Sequence, residues 1–297
     1  MPPERLRLPA PAKLNLFLHI VGRRADGYHL LQTVFQLIDL CDWIELEARD
    51  DGDIERRSEL PGIPPEQDLC VRAARLLQAE TGCRLGARIA IDKRIPMGGG
   101  LGGGSSDAAT VLLGLNRIWN TGLDLDALAA LGLRLGADVP VFIRGASAWA
   151  EGVGDRFTPL ALPEAAYLVL DSGVSVATAE LFQAPELTRD APPATIAGFV
   201  SGQVVGNAFE PVLLRRSPRV GEALRALREA AAGEASQVAL SGTGGCCFAR
   251  FESPGAAARA QARLGADWRS WVSAGLGQSP VHALLDARGE EPDERKD

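Results

Sequence analysis

The sequence predicts a mixed α and β chain of two domains. Three observations carry that expectation. Some segments alternate apolar and polar residues with a period of two, while others repeat apolar residues at helical spacing, and the two kinds are interleaved from end to end. The 297-residue length suits two domains of roughly 150 residues better than one. The composition, 46% hydrophobic and 23% charged, is that of a globular chain with enough apolar residues for a full core.

In the first strand, Leu14, Leu16, Leu18 and Ile20 share one face, and Lys13, Asn15, Phe17 and His19 the other. Lys13 and Asn15 therefore project together, either from a solvated strand edge or into a site. Asp26-Gly27 signals a turn, and strands follow at 33–38 and 43–48. Residues 50–67 are polar, broken by Gly and Pro, and read as loop. A helix is predicted from Asp68 to Glu80, with Leu69, Ala73, Leu76 and Leu77 as its apolar stripe. Alternation returns at 85–95, where Leu85, Ala87, Ile89 and Ile91 share a face.

A glycine-rich loop comes next, then helices from Ser106 to Trp119 and from Leu125 to Leu135, the latter stopped by Gly136. Strands are predicted at 141–143, 147–151 and 166–171, and helices near 177–183, 196–209, 219–231 and 254–263. Residues 237–251 read as a hairpin closed by a glycine turn, and 268–273 as a further strand. The tail from Arg288 is too polar to pack and is expected to be disordered. A boundary in the glycine-containing run 151–164 divides the chain into domains at 1–155 and 156–287, with 288–297 as tail.

The formal charge of −7, from 38 acidic and 31 basic residues, argues against a nonspecific nucleic-acid binder, which needs clustered positive charge. Five cysteines without metal-ligand spacing fit a reducing compartment, and adjacent Cys246 and Cys247 read as buried thiols. The N-terminal residues lack an apolar signal segment, and no stretch reaches the roughly 18 to 20 apolar residues of a membrane span. A cytoplasmic location without membrane or nucleic-acid partners is expected. Lysine is scarce, three residues (Lys13, Lys93, Lys296) against 28 arginines, and scarcity alone assigns no role.

Residues 96–109 read Pro-Met-Gly-Gly-Gly-Leu-Gly-Gly-Gly-Ser-Ser-Asp-Ala-Ala. Glycines between a strand and a helix let several backbone N–H groups converge on an anion. The helix opening at Ser105, Ser106 or Asp107 adds its unpaired amides and positive dipole end. The serines can cap that helix or offer hydroxyls to phosphate oxygens or a hydrated metal. This is a phosphate cradle. A Walker loop fails, because Gly104 is followed by Ser105 rather than Lys. A dinucleotide fingerprint fits only because nearly any glycine spacing occurs in such a run, and no strand ending in an acidic residue follows about 20 positions on.

The loop resembles the ATP loop of the GHMP superfamily of galactokinase, homoserine kinase, mevalonate kinase and phosphomevalonate kinase. Its GGGSSDAA ending resembles one family within that group, the 4-diphosphocytidyl-2-C-methyl-D-erythritol kinases. Segments 11–36, 135–145, 180–187 and 241–249 agree with the same family and span most of the chain in order. The resemblance implies an α+β, two-domain GHMP kinase fold, with a ribosomal protein S5 domain 2-like N-terminal part and a ferredoxin-like C-terminal part. It implies transfer of the ATP γ-phosphoryl to the 2-hydroxyl of the diphosphocytidyl substrate, in non-mevalonate isoprenoid synthesis. ATP and Mg²⁺ are the implied co-substrate and ion, and the enzyme would be a monomer or weak homodimer.

Residue by residue, the resemblance implies a catalytic pair of Lys13 and Asp138. The carboxylate would accept the hydroxyl proton, and the cation would offset charge on the transferred phosphoryl oxygens. The ATP-binding residues would be Pro96, Gly98, Gly99, Gly100, Leu101, Gly102, Gly103, Gly104, Ser105 and Ser106. The substrate would meet Asn15, Tyr28, His29, Asp138, Thr178 and Phe182, with the tyrosine stacked on the cytosine, Phe182 as second aromatic wall, and His29 reading the polar edge. Gly242, Thr243 and Gly244 match a second glycine motif that closes against the phosphate region, although a plain hairpin turn fits as well. Gly99 stands where the family has alanine, Ala208 where aspartate is common, and Asp155 where glutamate is. No acidic cluster offers a metal cage, so Mg²⁺ would be held mainly by ATP phosphates, with Ser105 or Ser106. The competing readings are another kinase of the superfamily, without a cytidine site, and a noncatalytic nucleotide- or RNA-binding protein.

Overall fold

The computed structural model describes residues 5–287; the tail expected to be disordered lies outside the described residues. The chain begins with β1 (Arg5–Arg23), β2 (His29–Arg49), β3 (Ile54–Arg56), α1 (Leu69–Thr81) and β4 (Gly86–Asp92). Three helices follow, α2 (Gly103–Ile118), α3 (Leu125–Leu135) and α4 (Val139–Arg144), then β5 (Ala148–Glu151), β6 (Arg156–Pro159) and β7 (Ala166–Asp171). Next are α5 (Thr178–Phe182), α6 (Ile196–Val200), α7 (Glu210–Arg216) and α8 (Pro218–Ala231). The described chain closes with β8 (Gln237–Leu240), β9 (Cys246–Phe251), α9 (Pro254–Arg263), β10 (Arg269–Leu276) and α10 (Pro280–Ala287).

The long strand β2 is the spine. One edge pairs antiparallel with β1 along almost its whole length. The other edge serves β5 at Thr33–Phe35, β10 at Leu37 and Ile38, and β4 from Trp43 to Arg49. Through β10 the sheet continues to β7, β9 and β8. Helices α1 to α4 bury their apolar faces on the β1, β2 and β4 side, around Leu8, Leu46, Ile89 and Leu112. A second core joins α5, α7, α8 and α9 to β7 and β9, around Leu168, Phe209, Leu224 and Phe251. A third, with Leu14, Phe17, Trp149, Tyr167 and Phe248, lies between them.

Local chemistry sets the helix ends. Asp68 caps α1 by accepting from the Cys70 N–H at 2.6 Å, and Gly82 ends that helix in the left-handed region. Asp124 caps α3 through the Ala127 N–H at 2.8 Å. Each such cap is worth about 1 kcal/mol. Ala73 and Leu77 of the predicted α1 stripe are buried, with Leu69 and Leu76 half-buried beside them.

Several expectations are corrected. The strands at 33–38 and 43–48 are one strand: its pairing with β1 skips Asp39 and Leu40 and resumes at Cys41, and Asp42 is buried with partners. The alternation in β1 does not separate a wet from a dry face. Leu14, Leu16 and Phe17 share one core, and the register slips between Asn15 and Leu18. Residues 141–143 are helical, within α4, because Pro140 starts a helix readily and Gly145 stops it in the left-handed region. A short apolar run buried on all sides does not distinguish the two structures.

The helix expected over 196–209 ends at Val200, followed by positive-φ glycines at 202 and 206. α2 begins at Gly103, three residues before the predicted Ser106, with Gly102 in the cap position. β3, β6, α7 and α10 were not predicted. α10 returns to pack against β1 and α2.

Candidate active site

A cavity of about 1550 Å³ is lined at once by the glycine loop, by Lys13 and Asp138, by Tyr28, His29 and Phe182, and by Leu60, Ile63 and Leu69. That volume exceeds the roughly 300–1000 Å³ of a site for one drug-sized ligand, so the cleft has room for two.

At its centre Lys13 Nζ stands 3.4 Å from Asp138 Oδ2. β1 carries the lysine, and the turn between α3 and α4 carries the aspartate. Lys13 is 3% exposed, which excludes the solvated-edge reading, whereas the Asp138 side chain is 35% exposed. Asp138 occupies the cap position of α4 yet makes no capping bond with its side chain, so the carboxylate is left for the cavity. The ammonium also donates to Asn15 Oδ1 at 2.6 Å and to the Gly100 carbonyl at 2.9 Å. Asn15 is itself held, donating to Thr33 Oγ1 at 2.9 Å and, through its backbone, to Ser241 Oγ at 3.3 Å. A buried polar chain of this kind is rigid because each unmade bond would cost about 1–3 kcal/mol.

Two glycine segments interlock beside this pair. Gly98, Gly100 and Gly102 have φ of 71°, 81° and 72°, the left-handed region that glycine occupies without strain. Close approach matters as much: an added Cβ at Gly100 would lie 2.1 Å from the Ser241 carbonyl, and one at Gly244 would lie 2.1 Å from Gly100 N. The Cys246 N–H donates to the Gly99 carbonyl at 3.0 Å and Ser241 Oγ–H to the Gly100 carbonyl at 3.1 Å. The Lys13 N–H binds the Leu101 carbonyl at 3.0 Å, and Lys13 Cε and Phe142 pack where a Gly102 side chain would stand. Gly242 and Thr243 line the cavity; Gly244 lies beneath the first loop and does not. The hairpin turn is thus also the floor of the loop.

The first hydrogen bond within α2 is from the Ser106 N–H to the Gly102 carbonyl, at 2.9 Å. The N–H groups of Gly103, Gly104 and Ser105 precede that ladder and, with the helix dipole, favour an anion. Neither serine caps the helix. Ser105 is half-buried and lines the cavity, as do Pro96 and residues 98–104, while Ser106 is fully buried and does not. Of the two hydroxyls considered for phosphate or metal, only Ser105 is placed for it. Among the described residues no cluster of three His, Cys, Asp or Glu side chains could hold a metal.

Lys93 and Asp107, assigned no role from sequence, form a buried group beside the loop. Lys93 Nζ donates to Asp42 Oδ2 at 2.5 Å and to Asp107 Oδ2 at 2.6 Å. Burial pushes the Asp107 carboxyl up to about 8, with Lys93 opposing and Asp42 adding to the rise. One cation between two buried carboxylates leaves an excess negative charge, which a proton relieves.

At the other end, Tyr28 is 65% exposed and lines the cavity with His29 and Phe182. The His29 and Phe182 rings stack with centroids 4.9 Å apart and an interplanar angle of 28°, and Phe209 meets Phe182 edge-on at 4.9 Å. Phe182 is therefore a wall built onto His29. Thr178 Oγ1 lies 2.8 Å from Thr243 Oγ1, joining α5 to the second glycine motif. Arg189, which sequence reading missed because nothing local marks it, donates to His29 Nε2 at 3.2 Å. Burial first, then the charges of Arg189 and Arg23, lower the His29 pKa from its ordinary value.

The model of the GHMP kinases N terminal domain matches residues 68–146, and that of the GHMP kinases C terminal matches residues 197–270. A 4-diphosphocytidyl-2-C-methyl-D-erythritol kinase of Xanthomonas axonopodis pv. citri (strain 306) is 58% identical over 281 residues, covering 94% of this chain and 92% of the relative. One from Halorhodospira halophila (strain DSM 244 / SL1) is 55% identical over 280 residues, covering 93% of this chain and 95% of the relative. A crystal structure of 4-(cytidine 5'-diphospho)-2C-methyl-D-erythritol kinase superposes with a TM-score of 0.77 at 36% identity, covering 92% of this chain and 100% of that one. The mevalonate kinase of Methanococcus jannaschii shares the fold, with a TM-score of 0.65 at 17% identity, over 92% of this chain and 98% of that one.

Proposed function

The chain belongs to the 4-diphosphocytidyl-2-C-methyl-D-erythritol kinase family of the GHMP kinases, and from that premise we propose how its cleft works. The reaction transfers the γ-phosphoryl of ATP to the 2-hydroxyl of 4-diphosphocytidyl-2-C-methyl-D-erythritol, giving the 2-phosphate and ADP. It serves non-mevalonate isoprenoid precursor synthesis.

The observation that carries the mechanism is the contact of Lys13 and Asp138 beside the glycine loop. Phosphoryl transfer needs positioning and charge neutralisation more than covalent help. The N–H groups at the start of α2 and along residues 98–104 hold the ATP phosphates. Asp138, partly exposed and free of capping duty, accepts the proton of the 2-hydroxyl as the bond to phosphorus forms. Lys13, fixed by Asn15 and Gly100, orients that carboxylate and places a positive charge beside the oxygens that gain charge.

The ATP base and ribose lie towards Leu60, Ile63 and Leu69, the side of the cavity next to Gly104, whose added Cβ would stand 3.6 Å from Leu69. The cytidine lies towards Tyr28, His29 and Phe182, and the methylerythritol between Asn15, Thr178 and Asp138. Magnesium, when bound, neutralises phosphate charge. Ser105 is the side chain that would meet it, since Ser106 faces the core.

The division into residues 1–155 and 156–287, a monomeric or weakly dimeric state and a cytoplasmic setting belong to the same proposal. No described helix is long and apolar enough to cross a membrane.

A coupled ADP-release assay with ATP and magnesium tests the reading, comparing the diphosphocytidyl substrate with mevalonate, homoserine and no acceptor. Release with the first alone is expected. Release only with another acceptor would remove the cytidine site and leave the ATP loop.

A further inference from the structure

Arg189 lies in the loop after α5, half-buried, between Thr188 and Asp190. Its guanidinium closes a circuit of hydrogen bonds. Nη2 donates to the carbonyls of Phe182 at 2.9 Å and Ala184 at 2.7 Å, Nη1 to that of Leu187 at 2.9 Å, and Nε to His29 Nε2 at 3.2 Å. Four of its five N–H hydrogens are thereby committed within the protein, which leaves little for a ligand. No carboxylate pairs with it among the described residues. Arginine here fastens the end of α5, which carries Phe182, to the β1–β2 hairpin carrying His29, and the two rings stack at 4.9 Å.

The bond to His29 has a chemical consequence. A guanidinium only donates, so the nitrogen it meets must carry a lone pair. A neutral imidazole with a bare Nε2 has its proton on Nδ1. The remaining nitrogen, Nδ1, has no partner among the described residues. We propose that Arg189 is the positioning residue of the base subsite: it fixes His29 as the Nδ1-protonated tautomer and ties that ring to the Phe182 wall, so that the site offers an N–H donor to the base. The inference rests on the reading of Tyr28, His29 and Phe182 as the cytidine end. Cytosine presents acceptors at N3 and O2, whereas uracil carries a hydrogen on N3, so a fixed donor favours cytosine. Stacking alone cannot discriminate between them. Arg189 sets the choice without touching the base.

The test uses the full-length enzyme, its Arg189→Met and Arg189→Lys variants, and two readouts. Nitrogen-15 NMR of the three histidine rings, with His29 assigned by its loss in His29→Gln, gives the tautomer. The kcat/KM ratio for the diphosphocytidyl substrate over its uridine analogue gives the discrimination. Wild type is expected to show a bare Nε2 on His29. In Arg189→Met the ring should pass to a mixture of tautomers and the ratio should fall by about tenfold (~1.4 kcal/mol), through KM of the acceptor, with the KM for ATP unchanged. Arg189→Lys keeps a donor and should fall between the two.

A protonated Nε2 in wild type, or a ratio unaltered in both variants, would overturn the proposal. If the Met variant does not fold, the wild-type spectrum and the Lys variant decide. Phosphorylation of neither compound by wild type would sink the enzymatic reading of the base site instead, and the ring spectra would still decide whether Arg189 sets the tautomer.

Discussion

The sulfur of Cys246 occupies the space that a side chain at Gly99 would need: an added Cβ would lie 2.4 Å from Cys246 Sγ. Gly99 stands where the family resemblance leads one to expect alanine, and its φ is not in the left-handed region, so the constraint is steric. Overpacking of this kind costs about 1–3 kcal/mol, and here the strain would lift the loop off β9. Gly99→Ala should raise the KM for ATP roughly tenfold. Removing the sulfur with Cys246→Ala in the same chain should recover most of that loss, a coupling that a double-mutant cycle measures. An unaltered KM in the single variant would show that the loop moves aside freely.

On the proposed mechanism, Asp138→Asn keeps the shape and removes the base. Turnover should drop at least about a hundredfold, with ATP affinity largely intact, because Lys13 keeps its bonds to Asn15 and Gly100. Lys13→Met should behave differently. It takes from the Gly100 carbonyl one of its two donors, leaving Ser241 Oγ, and strips buried Asn15 Oδ1 of the ammonium, so both kcat and the KM for ATP should worsen. Equal effects of the two variants on ATP binding would contradict separate roles for the pair.

Tyr28 and His29 should also separate. Tyr28→Ala removes a stacking surface worth about 1–3 kcal/mol per base, and should weaken the cytidine substrate and its uridine analogue alike. His29→Ala should lower the preference for cytidine. If the ratio of kcat/KM values stays fixed in His29→Ala, the ring does not read the base.

The buried group of Lys93, Asp42 and Asp107 predicts a loss of stability in alkali. Asp107 has its folded pKa raised to about 8, far above an unfolded carboxyl, so the folded state binds the proton more tightly. The stability tied to that proton diminishes as pH rises through the folded value. Wild type should lose about 1 kcal/mol between pH 7 and pH 9. Asp107→Asn still offers Lys93 an acceptor and should remove that slope in urea melts. A slope that persists in the variant would place the titration elsewhere.

Much of the site was legible because its signals are local. A run of glycines between strand and helix marks an anion cradle wherever it folds, and the segments holding Lys13, Tyr28, His29, Asp138 and Phe182 each carry the family pattern in a few residues. The end of α3 followed from Gly136 just past its last apolar residue. Other features depend on what packs from a distance. Alternation in β1 left Lys13 either on a solvated edge or in a site; the fold buries it and joins it to Gly100. The run after Asp138 is apolar and buried on all sides, so its pattern did not separate strand from helix, although Pro140 and Gly145 bound it as a helix.

The same division runs through the site. Residue order named Ser105 and Ser106 together; the start of α2 at Gly103 turned one to the cavity and the other to the core. For Gly244 the motif and a plain hairpin turn fitted equally, and the fold sets that turn directly against Gly100. Arg189 had no local mark at all, since its role consists of bonds to His29 and three carbonyls that the fold assembles. Sequence by itself determined which chemical groups this protein carries and where the backbone must bend, because those depend on near neighbours. Tertiary structure decided which groups meet and which are dry, because contact and desolvation arise only when distant segments pack.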